Sequence, residues 1–282
     1  MFNNLKTANY LYKKIVFIAI LVLGFHLTFA QNEIFLDNYF RTLKSVKVDI
    51  ENKTYNFLFD TGGGITIVSP KIIEDINKSS YGNSIGFRMS GERVESKLCD
   101  NLDIKIGGIN FSHTNVGVFD IMSLLPKDFK QLDGVISLKT FEHSKISLNL
   151  IANKVIIETE ESYKEKIKNM HLIQSRFANG PNGSELNIFL GTRAKDHLWW
   201  FLFDSGNIAQ TKISTSTAKD WALTFKENEI TEIGAYKFEI ANDSITAPTI
   251  IDDIIYDGAF SFDFIQQSEF VISFKDKKIW KN

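Results

Sequence analysis

A hexapeptide that occurs twice constrains this chain more than any other feature. The sequence Phe-Leu-Phe-Asp-Thr-Gly at residues 57–62 recurs as Phe-Leu-Phe-Asp-Ser-Gly at residues 201–206. Further along, Leu-Asp-Gly-Val-Ile-Ser at residues 132–137 has a counterpart, Tyr-Asp-Gly-Ala-Phe-Ser, at residues 256–261. Because the two landmarks appear twice in the same order, the chain contains two related units rather than chance matches.

The repeat predicts where one unit ends and the next begins. Residues 31–157 are expected to form an N-terminal lobe, and residues 170–282 a C-terminal lobe. Charged side chains dominate the run at 158–169, which we interpret as a solvated linker. The stretch between the two landmarks is longer in the first unit than in the second, so the first lobe carries an insertion that the second lacks.

The first 30 residues differ from the rest of the chain. They contain no Asp or Glu, and Lys6, Lys13 and Lys14 precede a mostly apolar run at 15–30 that ends in Thr-Phe-Ala. This layout is typical of a secretory signal peptide, so residues 1–30 are expected to be removed and the protein exported to the periplasm or beyond the cell. The alternative is an uncleaved anchor, the one case in which a membrane would be a partner, although the run is short for a span of about 20 residues.

The overall composition argues against several functional classes. Of the 282 residues, 44% are apolar and 23% are charged, which is ordinary for a globular protein. The formal net charge is −2 and no basic block is present, so nucleic acid is not an expected partner. Cys99 is the only cysteine and cannot form an intramolecular disulfide. The histidines lack a metal-ligand spacing, so we expect neither a metal nor another cofactor.

Local patterns predict a mainly β fold. Short segments rich in Val, Ile, Phe and Tyr alternate with Gly, Asn and Asp. Residues 46–50 and 102–106 alternate between apolar and polar side chains, and the two glycines at 107–108 predict a turn. One short helix is expected after Ser69, which can cap it, with Pro70 in its first turn.

Each copy of the hexapeptide places a carboxylate after an apolar strand. If Asp60 and Asp204 meet across a pseudo-twofold axis, repulsion and desolvation separate their pKa values, and the pair holds one proton over a wide pH range. Such a pair can accept a proton from a water and donate one to a carbonyl oxygen. Either triplet alone could be an ordinary tight turn, but the duplication favours a paired catalytic site.

The residues that follow each Asp suit supporting roles in the two loops. Thr61 and Ser205 supply hydroxyl groups that can bind backbone across the interface between the lobes. Gly62 and Gly206 allow two backbones to approach closely, with their N–H groups directed at the carboxylates.

Together these motifs resemble the pepsin and retropepsin superfamily of aspartic proteases, and within it the short, secreted, bacterial retropepsin-like type with two fused lobes. The resemblance extends over nearly the whole chain after the N-terminal segment. It implies two pseudo-symmetric β-barrel-like lobes of the acid-protease fold with a cleft between them. It also implies a monomeric endopeptidase that binds a peptide or protein substrate in extended conformation and hydrolyses it through Asp60 and Asp204.

The same resemblance implies a hairpin flap that extends from the first lobe over the substrate. The segment 87–98 suits this role because it alternates, lies in the longer first unit and has a turn at Ser90, Gly91 and Glu92. Gly91 is then the expected tip. An ordinary surface hairpin is the alternative.

Several residues depart from the family's usual pattern. Ser137 and Ser261 stand where Gly is usual after the two apolar residues of the downstream motif, the glycines at 63–64 lengthen the flexible part of the first loop, and Asn207 stands where a small residue is commoner. These departures motivate a second hypothesis, a catalytically weak or inactive protein that keeps the fold and binds peptides. A β-rich structural repeat protein with no peptide cleft is a third.

Overall fold

A computed structural model describes residues 32–180, 183–208 and 210–282. The predicted signal peptide at 1–30 lies outside these ranges and stays a prediction. Strands account for 50% and helices for 13% of the structure, which confirms the mainly β expectation. In the described part of the chain, no helix has the length and apolarity needed to cross a membrane.

Six strands of the first lobe close into a barrel. The strands, in chain order, are β1 (Asn32–Phe35), β2 (Asp37–Asn38), β3 (Lys44–Ile50), β4 (Lys53–Phe59), β5 (Ile67–Val68), β6 (Tyr81–Phe87), β7 (Arg93–Ile106), β8 (Ile109–Val118), β9 (Gly134–Ile136), β10 (Lys145–Asn149) and β11 (Lys154–Ile157). Neighbours in the barrel run β3-β4-β9-β5-β8-β7, and β3 also pairs with β7. A helix α1 (Pro70–Asp75) and two 3₁₀ helices, η1 (Ile121–Leu124) and η2 (Leu138–Phe141), complete the lobe.

The second lobe repeats this barrel. Its strands are β12 (His171–Ile173), β13 (Ser175–Asn179), β14 (Leu186–Ala194), β15 (His197–Phe203), β16 (Thr211–Ser214), β17 (Thr231–Ile240), β18 (Asp243–Asp252), β19 (Gly258–Phe260), β20 (Phe270–Ser273) and β21 (Lys278–Lys281). Neighbours run β14-β15-β19-β16-β18-β17, and β14 pairs with β17. Helices α3 (Thr215–Asp220) and α4 (Phe262–Ile265) follow β16 and β19. Two pseudo-symmetric barrel lobes are therefore present, as the resemblance implied.

A third sheet joins the two lobes. Its order is β1-β11-β10-β20-β21-β12, and β10 from the first lobe pairs antiparallel with β20 from the second. Ile146 faces Ile272 and Leu148 faces Phe270 across this pairing, and all four side chains are buried. The lobes are thus held by a continuous hydrogen-bonded sheet as well as by apolar packing.

The repeated Phe and the repeated Gly of the two landmarks fit together. A Cβ atom at Gly134 would lie 2.4 Å from the ring of Phe57, and one at Gly258 would lie 2.3 Å from the ring of Phe201. Each glycine therefore makes room for the first aromatic ring of its own hexapeptide. This packing sets the parallel pairings of β4 with β9 and of β15 with β19.

The Asp of each downstream landmark has a structural role. The carboxylate of Asp133 accepts a hydrogen bond from the backbone N–H of Asn56 at 2.9 Å, and that of Asp257 accepts one from Trp200 at 2.9 Å. Both bonds attach the landmark to the strand that leads into a hexapeptide. In each lobe, the hexapeptide strand and the downstream landmark are therefore joined by a hydrogen bond and by packing.

The charged run between the lobes is more structured than the sequence suggests. It contains helix α2 (Glu160–Ile167), which begins with a capping box at Thr159. Tyr163 is buried and packs edge-on against Trp280, while Lys166 contacts Glu158 at 3.1 Å and Glu269 at 2.7 Å. Ion pairs and one aromatic anchor therefore fix a segment that we interpreted as solvated.

The predicted helix after Ser69 is confirmed as α1, with the Ser69 hydroxyl accepting from the N–H of Ile72. A second short helix, α3, takes the corresponding place in the second lobe behind the cap of Ser214, and the sequence did not predict it. Its sequence, Thr-Ser-Thr-Ala-Lys-Asp, has weak helix formers and no clear apolar periodicity, so the pattern does not predict it.

Candidate active site

Asp60 and Asp204 each lie at the end of a buried strand. Asp60 directly follows β4, and its N–H donates to the carbonyl of Ile136 at 3.0 Å; Asp204 directly follows β15, and its N–H donates to Phe260 at 3.2 Å. These bonds extend the parallel pairings past the ends of the strands. The backbone of both residues is therefore fixed by the barrel that carries it.

The two carboxyl groups lie within hydrogen-bonding reach of each other. Oδ1 of Asp60 accepts from the N–H of Gly62 at 2.8 Å, and Oδ1 of Asp204 accepts from the N–H of Asn207 at 3.1 Å. Asp204 is only 7% exposed and Asp60 is half-buried. The site therefore consists of two adjoining carboxyl groups, each oriented by a backbone donor of its own loop.

The glycine after each Asp-Thr or Asp-Ser pair packs against the Asp of the opposite lobe. A Cβ atom at Gly62 would lie 2.5 Å from Cγ of Asp204, and one at Gly206 would lie 2.5 Å from Cγ of Asp60. No side chain fits in either place. The absence of a Cβ atom at both positions is what lets the two carboxyl groups meet.

Thr61 and Ser205 cross the interface between the lobes. Thr61 Oγ1 accepts from the N–H of Ser205 at 2.8 Å and donates to the carbonyl of Phe203 at 2.7 Å. Ser205 Oγ accepts from the N–H of Thr61 at 3.0 Å. Both residues are buried, so these bonds replace water contacts that the loops would otherwise need.

Burial raises the pKa of both carboxyl groups. For Asp60, donation from the N–H groups of Gly62 and Gly206 and the contact with Asp204 act in the opposite direction. For Asp204, the charge of Asp60 adds to burial and raises the pKa well above its usual range. The pair therefore retains a proton at pH values where an isolated Asp is ionised, and this titration belongs to the pair.

The two serines that depart from the family's pattern occupy equivalent, fully buried positions. Ser137 Oγ lies 3.2 Å from Oγ1 of Thr66, and Ser261 Oγ lies 3.2 Å from Oγ1 of Thr211. Ser137 also donates to the carbonyl of Gly64 at 3.4 Å, within the first Asp loop. Each serine is thus paired with a threonine under its own loop, and neither disturbs the carboxyl groups.

The candidate flap residues lie at the turn of the hairpin formed by β6 and β7. The N–H of Arg88 donates to the carbonyl of Glu92 at 2.8 Å, and the N–H of Gly91 donates to that of Arg88 at 2.8 Å. Gly91 has φ of +82°, which favours glycine, and Ser90 and Glu92 are exposed beside it. Among the described residues of the second lobe, no strand corresponds to β6, so part of the longer first unit builds this hairpin.

The tip of the hairpin reaches the second lobe. The carbonyl of Met89 accepts a hydrogen bond from the N–H of Ile255 at 3.0 Å, and Met89 packs against a cluster that contains Leu202, Ile254 and Ala259. Sequence reasoning missed Met89, Ile255 and the donor role of Asn207. No local pattern signals them, because each contact joins segments distant in the chain or depends on loop geometry.

Other features of the site concern Tyr256 and metals. Burial raises the pKa of Tyr256, and the charges of Asp204 and Glu185 add to this rise. Over the described ranges, no three His, Cys, Asp or Glu side chains are grouped so that they could hold a metal ion.

Comparison with known proteins gives one family match. The model of a family described as aspartyl protease matches residues 46–139, which run from β3 through the first Asp loop to η2. The match contains Asp60 but not Asp204. No curated protein sequence matches the chain.

Proposed function

We propose that this chain, whose residues 46–139 match the aspartyl protease family, is an endopeptidase of the aspartic protease superfamily that hydrolyses peptide bonds with a water activated by Asp60 and Asp204. The observation that carries the proposal is the contact between the two carboxyl groups. They come from equivalent positions of two barrels, and a glycine of the opposite lobe backs each of them.

In the proposed reaction the pair begins with one proton. The ionised member of the pair accepts a proton from water while the oxygen attacks the peptide carbonyl carbon. The protonated member donates its proton to the carbonyl oxygen, giving a neutral gem-diol. Collapse of the gem-diol returns a proton to the departing nitrogen, breaks the C–N bond and restores the pair without an acyl-enzyme.

Supporting residues keep this geometry without touching the substrate. The bonds between Thr61 and Ser205 fix the distance between the two loops, and Gly62 and Gly206 keep the carboxyl groups in contact. Misplacing a reacting group by about 1 Å can cost about 100-fold in rate. We therefore treat these four residues as positioning residues.

The peptide-binding hypothesis without catalysis was motivated by Ser137 and Ser261. Both serines now have threonine partners under their own loops, so this observation no longer favours an impaired site. A failure to cleave any peptide would still support binding alone.

The expected substrate is an extended segment of peptide or unfolded protein in the cleft between the lobes. We also propose that the protein acts as a monomer after export and removal of residues 1–30. The N-terminal composition supports export. N-terminal sequencing of the protein from its native compartment tests this: a chain beginning at Gln31 is expected, and an intact Met1 would contradict it.

The activity itself is tested by incubating the purified protein with a chemically unfolded protein between pH 3 and pH 8 and detecting new termini by mass spectrometry. Asp60→Asn and Asp204→Asn are each expected to lower the rate by at least about 100-fold. Asp196→Asn is a matched control, because Asp196 is exposed at a turn with φ of +65° that Asn also tolerates. Equal cleavage by all variants would show that the pair is not catalytic.

A further inference from the structure

An arginine of the second lobe lies over a tryptophan and has no carboxylate partner. The guanidinium carbon of Arg176 is 3.9 Å from the centre of the Trp200 ring, close enough for the ring face to attract the cation. Arg176 is exposed and Trp200 is half-buried. Within the described ranges, no Asp or Glu forms an ion pair with Arg176 and no hydrogen bond uses its side-chain N–H groups. The stacked guanidinium therefore keeps its donors available to a ligand.

Strand pairing places this arginine on the face of the sheet that leads to the second Asp. Arg176 is opposite Phe189 on β14, and Phe189 is opposite Leu202 on β15. Directly opposed residues share a face, and so do alternate residues along one strand. Trp200 therefore lies on the same face, four residues before Asp204, which is about 13 Å along an extended strand.

A glycine opens the way across the intervening strand. Gly191 is opposite Trp200 on β14. A Cβ atom at Gly191 would lie 2.9 Å from Cδ1 of Leu198 and 3.2 Å from Cβ of Gln174, so a larger residue does not fit without a shift. Because β14 presents no side chain at this level, Arg176 can reach the indole ring from β13.

The first lobe lacks this arrangement at the equivalent positions. By strand register, the counterparts of Arg176, Gly191 and Trp200 are Asp37, Lys47 and Asn56. Nζ of Lys47 lies 3.4 Å from Oδ1 of Asn56, so a lysine fills the gap that the second lobe leaves open. Asp37 is exposed, so the two lobes carry opposite charges at one position. The barrel forms in both lobes, and it therefore does not require the stacked arginine.

The chemistry of a stacked guanidinium selects a carboxylate. Its planar fork of N–H groups matches the two oxygens of a carboxylate, and such bidentate pairs are stronger than neutral hydrogen bonds. Stacking also fixes the plane of the fork before a ligand arrives, so less conformational freedom is lost on binding.

We propose that Arg176 and Trp200 bind an acidic side chain of the substrate, Asp or Glu, about four residues from the scissile bond. An extended chain covers about 13 Å in about four residues, which matches the separation of Trp200 from Asp204 along β15. Asp37 holds the equivalent place in the first lobe and repels an acid there, so only one side of the scissile bond accepts it. The inference rests on the proposed function only for the position of the scissile bond.

The test measures binding, which does not require turnover. Peptides of one sequence carry a secondary alcohol in place of the scissile carbonyl, so that they are not cleaved. Each has Glu or Gln at one position, about two to six residues from the alcohol on either side, and affinities are measured by calorimetry at about 50 mM salt. The parent is compared with Arg176→Ala, Arg176→Lys and Trp200→Leu. Lys237→Ala is the matched control, because it removes one exposed positive charge from β17 of the same lobe.

We expect the parent to bind the Glu peptide about 3- to 10-fold more tightly than the Gln peptide, as for a charged hydrogen bond at a partly exposed site. The preference should appear about three to five residues from the alcohol, on one side only. Arg176→Ala should lose it. Arg176→Lys should keep only part of it because an ammonium group lacks the fork, and Trp200→Leu should weaken it. Lys237→Ala should match the parent, and about 500 mM salt should reduce the preference.

Four results would overturn the proposal: equal affinity of the parent for Glu and Gln at every position, a preference that survives Arg176→Ala, a preference that Lys237→Ala also removes, or no binding of any peptide. An Arg176→Ala variant that unfolds at a lower temperature but keeps the preference would mean that the arginine only stabilises the lobe. If the parent shows the expected preferences but cleaves nothing, only the proposed function fails. If it cleaves peptides without them, only the acid-binding site fails.

Discussion

Thr61 and Ser205 bind each other's backbone across the interface between the lobes. The N–H of Ser205 donates to the Thr61 hydroxyl at 2.8 Å, and the N–H of Thr61 donates to the Ser205 hydroxyl at 3.0 Å. The exchange is reciprocal because the residues occupy equivalent places in the two hexapeptides. These two hydrogen bonds therefore couple the distance between the carboxyl groups to the packing of one lobe against the other.

Replacing Thr61 with Val should therefore affect stability and activity together. The change leaves the N–H of Ser205 and the carbonyl of Phe203 buried without the hydroxyl, which should lower the free energy of unfolding by about 2 kcal/mol. We expect kcat to fall more than KM rises. Thr61→Ser keeps the hydroxyl and serves as the control. Denaturant unfolding and peptide kinetics measure both effects, and a Val variant that equals the Ser variant in both would contradict this role.

Asp204→Asn should stabilise the fold at neutral pH while removing activity. Burial and the charge of Asp60 raise the pKa of Asp204 above its unfolded value of 3.8. A raised carboxyl pKa means that ionisation costs stability above the unfolded pKa, and this cost disappears when the pH falls below it. We expect a gain of about 1–2 kcal/mol at pH 7, and about 2–4 °C in Tm for each kcal/mol.

Thermal unfolding at pH 7 and at pH 3 checks this expectation. The gain in Tm should shrink towards zero at pH 3, where the parent carboxyl is also neutral. Asp196→Asn, at an exposed turn, should leave Tm unchanged at both pH values. A destabilised Asp204→Asn variant at pH 7 would mean that the carboxylate is held by interactions stronger than its repulsion from Asp60.

The sequence predicted the fold and the candidate site best where the internal repeat and the residue types of the Asp loops agreed. The duplicated hexapeptide predicted two lobes and named the residues of both Asp loops, because the close packing of Gly62 and Gly206 demands those residue types. It could not predict that Met89 meets Ile255, since nothing in either segment specifies a contact between distant hairpins. Helix α2 was missed for a related reason: the charges of Lys166, Glu158 and Glu269 look solvated until the fold pairs them.

Gly206→Ala, a change in the second lobe, should inactivate the protein by displacing Asp60 of the first lobe or the loop itself. The new Cβ atom would lie 2.5 Å from the carboxyl carbon of Asp60, so the first Asp or the loop must move. We expect the rate to fall by at least about 100-fold, as for other displacements of about 1 Å. Peptide cleavage measures the loss, while circular dichroism tests whether the fold persists.

The stability control for this change is Gly86→Ala. Nothing lies within 4 Å of a Cβ atom at Gly86, so its free energy of unfolding should stay within about 1 kcal/mol of the parent's. A Gly206→Ala variant that cleaves peptide at the parent's rate would show that the close approach of this glycine to Asp60 is not needed.

The buried side chain of His113 should make the first lobe less stable as the solution becomes acidic. The side chain is buried on β8, and in the described structure its Nε2 has no hydrogen-bond partner. Burial lowers the pKa of His113 from 6.5 to about 4, with Glu142 and Asp103 opposing the shift and Lys139 adding to it. Stability that depends on the neutral ring is complete above pH 6.5 and is lost as the pH falls towards 4.

His113→Leu, which stays neutral at every pH, should remove this loss. Relative to the parent, the variant should gain about 3 kcal/mol in free energy of unfolding between pH 7.5 and pH 4. His143→Leu is the matched control, because the His143 side chain is 88% exposed. Urea unfolding at several pH values measures the difference. Parallel pH dependences for the parent and His113→Leu would mean that the protonated ring finds a partner in the folded protein, and that acid sensitivity arises elsewhere.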